Sequence, residues 1–293
     1  MRNGLIGLAI LLLGIGLCWG VLYLGQANGA DWVVAVIGQE RASGDAPMVD
    51  TLFNLFIFVP LIVIAIGTAA VERRNAAALG DRPLAGLTLG LAVGLAGLTV
   101  SILYARLAGA LTDGSPQPAM PAVLIWGLGV TAVQVLAEEI YFRGWLQPAL
   151  VARWGQAAGI VAAALAFGAL HVAGGARAPM SLLNLFLGGL MFGLFAARSR
   201  GLAAAIGAHF AWNATEQLGF GLDPNPGIGS FGSLVDRELV GNALWGGSDQ
   251  GLNGSVGMTV ALLAIVAPLL IVSWRRLPVP SLPEKLTSSA RPG

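Results

Sequence analysis

GLIGLAILLLGIGLCWGVLYL, residues 4–24, carries neither a charged side chain nor a proline. A helix that crosses a bilayer needs about 20 mostly apolar residues, so this stretch alone is long enough to span. Similar runs recur at Thr51–Val71, Leu84–Leu107, Ala119–Val151, Gln156–Ala173, Ser181–Ala197, Leu202–Leu218 and Ser255–Trp274. The pattern predicts an all-α fold, a polytopic transmembrane helix bundle of about eight spans.

Composition agrees with that setting. Of 293 residues 56% are hydrophobic and 11% charged, against a usual charged share of about 25% in soluble domains. Forty-two glycines and many alanines suit close helix–helix approach in lipid, where small residues let backbones meet. A net charge of +1 gives no reason to expect a nucleic-acid partner. The lone cysteine, Cys18, rules out an internal disulfide and a cysteine-based metal cluster.

The first run reads as a retained span, since it exceeds the roughly 7–15 apolar residues of a signal peptide and Ala27-Asn28-Gly29-Ala30 is a poor cleavage site. Arg2, Arg73, Arg74, Arg82, Arg153, Arg198, Arg200, Arg275, Arg276, Lys285 and Arg291 all fall on one side of an eight-span topology. By the positive-inside rule both termini are expected in the cytoplasm. Three regions follow: N-terminal helices over 1–118, a core over 119–220, and over 221–293 an extracytoplasmic loop, a last span and a cytoplasmic tail, all within one structural domain. The segment between Gly219 and Gly254, with turns marked by Asp223-Pro224-Asn225-Pro226, reads as a passive extracytoplasmic tether. The tail after Leu277 reads as disordered.

Against this apolar background the ionisable residues inside spans stand out. Each costs roughly 2.5–3.5 kcal/mol on insertion scales, so such groups are rarely kept without a task. The two histidines of the chain, His171 and His209, lie in apolar stretches, and a third stretch holds Glu138, Glu139 and Arg143. Glu138 and His171 each lie about 16 residues from a turn near Trp154-Gly155, or about 25 Å along either helix, so they can face each other. Pro148 is expected to kink the first of these helices. His209 lies only about 13 Å beyond the Arg198–Gly201 turn, and a tilt or a raised helix start is needed to bring it level.

Helical spacing also separates the two glutamates. Glu139 and Arg143, four apart, share a face and can neutralise each other, whereas Glu138 points about 100° away. His209 and Asn213 share a face in the same way, as do Phe167 and His171. A carboxylate in a poorly solvated cavity is a competent base for water near neutral pH. A nearby imidazole can orient that water or shuttle its proton, and His209 with Asn213 can donate to the oxyanion that forms on a carbonyl under attack. Together these groups suit hydrolysis of an amide bond within the membrane.

Plainer readings exist for each group. A lone buried histidine is more often structural than catalytic, Glu139 with Arg143 fits a structural ion pair, and Asn213 fits interhelical glue. Trp126, Trp145, Trp154 and Trp212 fit interface or packing aromatics better than a substrate box. A Glu/His proton relay in a proton-coupled transporter is the competing function, although no pair of interrupted spans recurs in the two halves, as inverted-repeat carriers often show. A catalytically idle scaffold is a third.

At these residues the chain resembles the CPBP family of intramembrane proteases, which includes the type II CAAX prenyl endopeptidases and Abi-like, bacteriocin-processing relatives. The motif EExxxR appears as Glu138-Glu139-Ile140-Tyr141-Phe142-Arg143, FxxxH as Phe167-Gly168-Ala169-Leu170-His171, and HxxxN as His209-Phe210-Ala211-Trp212-Asn213. The resemblance covers about Ala119 to Leu218. It implies a glutamate-dependent endopeptidase with Glu138 and His171 activating water, His209 and Asn213 binding the oxyanion, and Glu139 and Arg143 in support. It also implies a bilayer setting, a bacterial cytoplasmic membrane, and a peptide or protein substrate, lipidated or not. A metal-free site is expected; were a divalent ion such as zinc bound, Glu138, His171 and His209 would be its ligands, since catalytic zinc usually takes three protein ligands.

Overall fold

A computed structural model describes residues 2–114, 120–222, 229–246 and 251–274. The chain is a helical bundle. Helix α1 (Arg2–Ile37) leads through the short α2 (Gln39–Gly44) to α3 (Ala46–Val71) and α4 (Pro83–Leu107). Helix α5 (Pro121–Glu139) continues as a π-helix, Ile140–Leu146, into α6 (Gln147–Trp154). Helices α7 (Gln156–Ala173), α8 (Pro179–Ser199), α9 (Ala203–Ala214) and α10 (Val256–Trp274) complete the bundle.

Among the described residues six helical segments are long and apolar enough to cross a membrane, the α5–α6 segment counted as one, and Val256–Ile271 forms a shorter apolar helix. The chain is thus an integral, multi-pass membrane protein. Two boundaries differ from expectation. Helix α1 runs past Leu24 to Ile37, through Gly25 and Gly29, and the first positive φ, 81°, comes only at Gly38. At about 54 Å it outruns the hydrocarbon core, and part of the expected loop before Thr51 is helical. The expected span Leu202–Leu218 is a 12-residue helix, α9, followed by a five-residue π-helical turn, Thr215–Gly219. At about 18 Å, α9 alone is shorter than a crossing helix.

Close backbone contact with α4 positions α9. A Cβ at Gly90 would lie 2.2 Å from the carbonyl oxygen of Ala204, and one at Gly94 2.3 Å from that of Ala208, so only glycine permits this approach. The start of α9 is also pinned, since the amides of Leu202 and Ala203 donate to the carbonyls of Ala78 and Leu79 at 2.9 and 3.3 Å. Ala78 and Leu79 belong to the loop between α3 and α4, so α9 begins beside that loop.

The long connection after Gly219 is not a passive tether where it is described. Strand β1 (Leu111–Asp113) pairs antiparallel with β2 (Arg237–Leu239), in the register Leu111↔Leu239, Thr112↔Glu238 and Asp113↔Arg237. An Arg237–Asp113 ion pair reinforces the last of these. Phe231 is buried against Val130 and Leu218, with Trp126 packed beside them. The turns at Asp223–Pro226 and the tail after Trp274 lie outside the described residues.

Candidate active site

Helix α5 delivers Glu138 and Glu139 to the middle of the bundle, and the π-helix that follows delivers Arg143. The irregularity expected as a proline kink takes this form. Pro148 has no N–H for the carbonyl four residues back, and its ring would clash there; the chain meets it with a widened π-helical stretch just upstream, a feature frequent at functional sites.

Glu139 is fully buried and lies at a junction. Its Oε1 accepts from Arg143 Nη1 at 3.0 Å and from His209 Nδ1 at 2.8 Å. Arg143 Nη2 also donates to the carbonyl of Gly189 at 3.2 Å, and its guanidinium lies 4.4 Å from the ring centre of Phe167. The His209 ring stacks on Phe192, with centroids 4.4 Å apart and planes at 17°. Since a carboxylate only accepts, Nδ1 of His209 carries the proton and Nε2 is turned toward Glu138, whose Oε2 stands 3.8 Å away. That separation is too long for a hydrogen bond.

His171 is fixed from its own helix: Nδ1 lies 3.0 Å from the Phe167 carbonyl. A carbonyl only accepts, so Nδ1 is the protonated nitrogen and Nε2 keeps its lone pair. Glu138, His171, His209 and Asn213 line one cavity of about 50 Å³, room for a few waters at ~10–15 Å³ each. Glu139 and Arg143 stand behind it, outside its lining.

The structure therefore brings together all the residues singled out by spacing, the ion pair included. It adds others that spacing did not single out. Gln134 and Glu216, 8% and 2% exposed, line the same cavity, as do Asn184 and Asn253. Gln134 lies one turn before Glu138, and Glu216 three residues after Asn213, so a search for polar residues along the same helical faces would have found both. Of the four tryptophans, Trp145 packs on Tyr141 and Trp126 on Phe231, and Trp154 donates to the Gly4 carbonyl at 3.3 Å. Trp212 instead forms part of the cavity wall.

Fold and site define an integral membrane protein with a small, half-open pocket between its helices, into which acidic, imidazole and amide side chains converge. Residues 120–215, about a third of the chain, match the family model described as type II CAAX prenyl endopeptidase Rce1-like. The match runs from the start of α5 to just past α9, contains every motif residue quoted above, and supports membership of the CPBP family. With the helical bundle it supports an intramembrane protease in general. No curated protein and no solved structure matches the chain.

Proposed function

We propose that the chain is an intramembrane endopeptidase that hydrolyses a peptide bond of a membrane-associated substrate with a carboxylate-activated water. The observation that carries this reading is the shared cavity of Glu138, His171, His209 and Asn213. Glu138 takes a proton from a water oriented by His171 Nε2, and the water oxygen bonds to the scissile carbonyl carbon. The carbonyl oxygen becomes an oxyanion and accepts from Asn213 Nδ2 and from Nε2 of His209, which enters the step as an imidazolium, balanced by the Glu139 carboxylate at Nδ1, and keeps both protons throughout. Collapse re-forms the carbonyl, breaks the C–N bond and returns the proton from Glu138 to the leaving amine. A general base typically contributes 10²–10⁴-fold, and one oxyanion donor about 10²–10³-fold.

The site works without metal in this reading. Were a divalent ion bound, Glu138 and the Nε2 atoms of His171 and His209, which share the cavity, would be its donors. The arginine distribution along the chain supports a cytoplasmic membrane, bacterial by the family resemblance, with both termini on the cytoplasmic side.

The test is cleavage of membrane-associated peptides, with and without a lipid anchor, by purified protein in detergent and in liposomes. Glu138→Gln is expected to lose at least about 10²-fold with an unchanged melting temperature. Full activity in that variant removes the base. Proton-coupled uptake that persists in a protein with no proteolysis would instead support the transporter reading.

A further inference from the structure

Gln134 is a buried carboxamide whose two ends have different fates. Its Nε2 donates to Glu138 Oε1 at 3.4 Å. Its Oε1 is buried and has no hydrogen-bond partner, on a side chain that lines the catalytic cavity. A buried acceptor left unpaired is costly, and native structures keep few without a reason. Gln134 lies one helical turn before Glu138 and lines the same cavity, beside the carboxylate at which the proposed reaction takes place. A peptide backbone offers one strong donor, the amide N–H.

We infer that Gln134 is a substrate-binding residue, accepting through Oε1 a backbone N–H of the substrate close to the scissile bond while its Nε2 steadies Glu138. This rests on the endopeptidase reading and adds to it the way the peptide main chain is registered. A contact to main chain rather than side chain aligns the scissile carbonyl in peptides of differing sequence.

The experiment starts from ten-residue apolar peptides in a mixture library that the wild-type protein cleaves. One such peptide is resynthesised with each non-scissile N–H in turn replaced by an ester oxygen, which deletes a single donor. In the wild type one position within two residues of the cut is expected to lose about two- to tenfold in kcat/KM, the worth of one neutral hydrogen bond. In Gln134→Met and in Gln134→Leu that penalty disappears, while penalties elsewhere persist. Loss of the steadying bond to Glu138 lowers kcat equally for every peptide, so it does not imitate this loss at one position. Thr131→Val, on the preceding turn, keeps the wild-type pattern. A Gln134 variant with the wild-type ester pattern overturns the assignment, as does a wild type with no ester-sensitive position near the cut; neither touches the endopeptidase reading. A wild type that cleaves nothing in the library overturns both.

Discussion

Glu139 Oε1 and His209 Nδ1 lie 2.8 Å apart, joining α5 to α9 across 70 residues of chain. The bond sets the direction of the imidazole, because a ring anchored at Nδ1 can aim only Nε2 at Glu138. Glu139, half of the sequence's ion pair, is therefore also the residue that orients a proposed catalytic group.

Glu139→Gln keeps the shape and an acceptor oxygen while removing the charge. The side-chain amide can still accept from His209, but it no longer balances an imidazolium or Arg143. We expect kcat to fall about ten- to a hundredfold, the scale seen when the partner that orients a histidine is altered, with KM little changed. A KM effect of the same size would place Glu139 in substrate binding instead.

Arg143→Ala leaves the Glu139 carboxylate without its ion-pair partner and the Gly189 carbonyl without a donor. Breaking a buried pair on one side costs about 3–5 kcal/mol, so a lower melting temperature and poor folded yield are expected. Arg143→Lys is expected to recover only part of the loss, since a lysine cannot reproduce the planar fork that reaches Glu139 and Gly189 together. Equal melting temperatures for wild type and Arg143→Ala would contradict a structural role for the pair.

Much of this was legible in the sequence, and the exceptions share a cause. Lipid compatibility is a property of composition, so the long apolar runs announced themselves. Helix ends are a backbone property, and nothing in the hydropathy of residues 25–37 separates a helix that continues to Gly38 from one that stops at Leu24. Depth counting brought Glu138 and His171 level because both are reckoned from one short turn. For His209 it left a gap, and what joins that ring to the site is its bond to Glu139, 70 residues away in the chain. Gln134, Glu216, Asn184 and Asn253 belong to no quoted motif. The first two share a helical face with motif residues, but Asn253 reaches the cavity only through tertiary folding of a segment beyond the family match.

Gly144 and Gly168 form a matched test of packing around the site. A Cβ on Gly144 would fall 1.9 Å from the Ala76 carbonyl oxygen, a backbone atom, whereas one on Gly168 meets nothing within 4 Å. Gly144→Ala is expected to cost about 1–3 kcal/mol or more through forced backbone shifts. Gly168→Ala is expected to be neutral or to stabilise by up to about 1 kcal/mol, from the higher helix propensity of alanine. Thermal melts of both in one detergent check the contrast, and similar losses in both would contradict the close approach of the π-helix to Ala76.

A chelator series addresses the metal-free reading. Prolonged treatment with EDTA or 1,10-phenanthroline, followed by removal of the chelator, is expected to leave kcat/KM unchanged. Loss of activity that zinc restores would instead assign Glu138, His171 and His209 as ligands, with a bound ion activating the water.

One side chain on α8 bonds three times to the C-terminal segment that contributes part of the cavity wall. Asn184, on α8, donates through Nδ2 to the carbonyls of Asn253 at 2.8 Å and Ser255 at 3.0 Å, and its Oδ1 accepts from Thr259 Oγ1 at 2.7 Å. It thus ties the turn before α10, and the first turn of α10 itself, to the helix bordering the catalytic residues. Asn184→Ala removes all three bonds and leaves buried carbonyls to find other partners, at about 1–3 kcal/mol for a group left unsatisfied. The loss is expected to be local: hydrogen exchange should quicken across residues 251–259 while α5 and α7 keep their protection. Because Asn253 lines the chamber, KM should rise more than kcat falls. Uniform exchange throughout the bundle would mean that Asn184 supports global stability rather than this one wall.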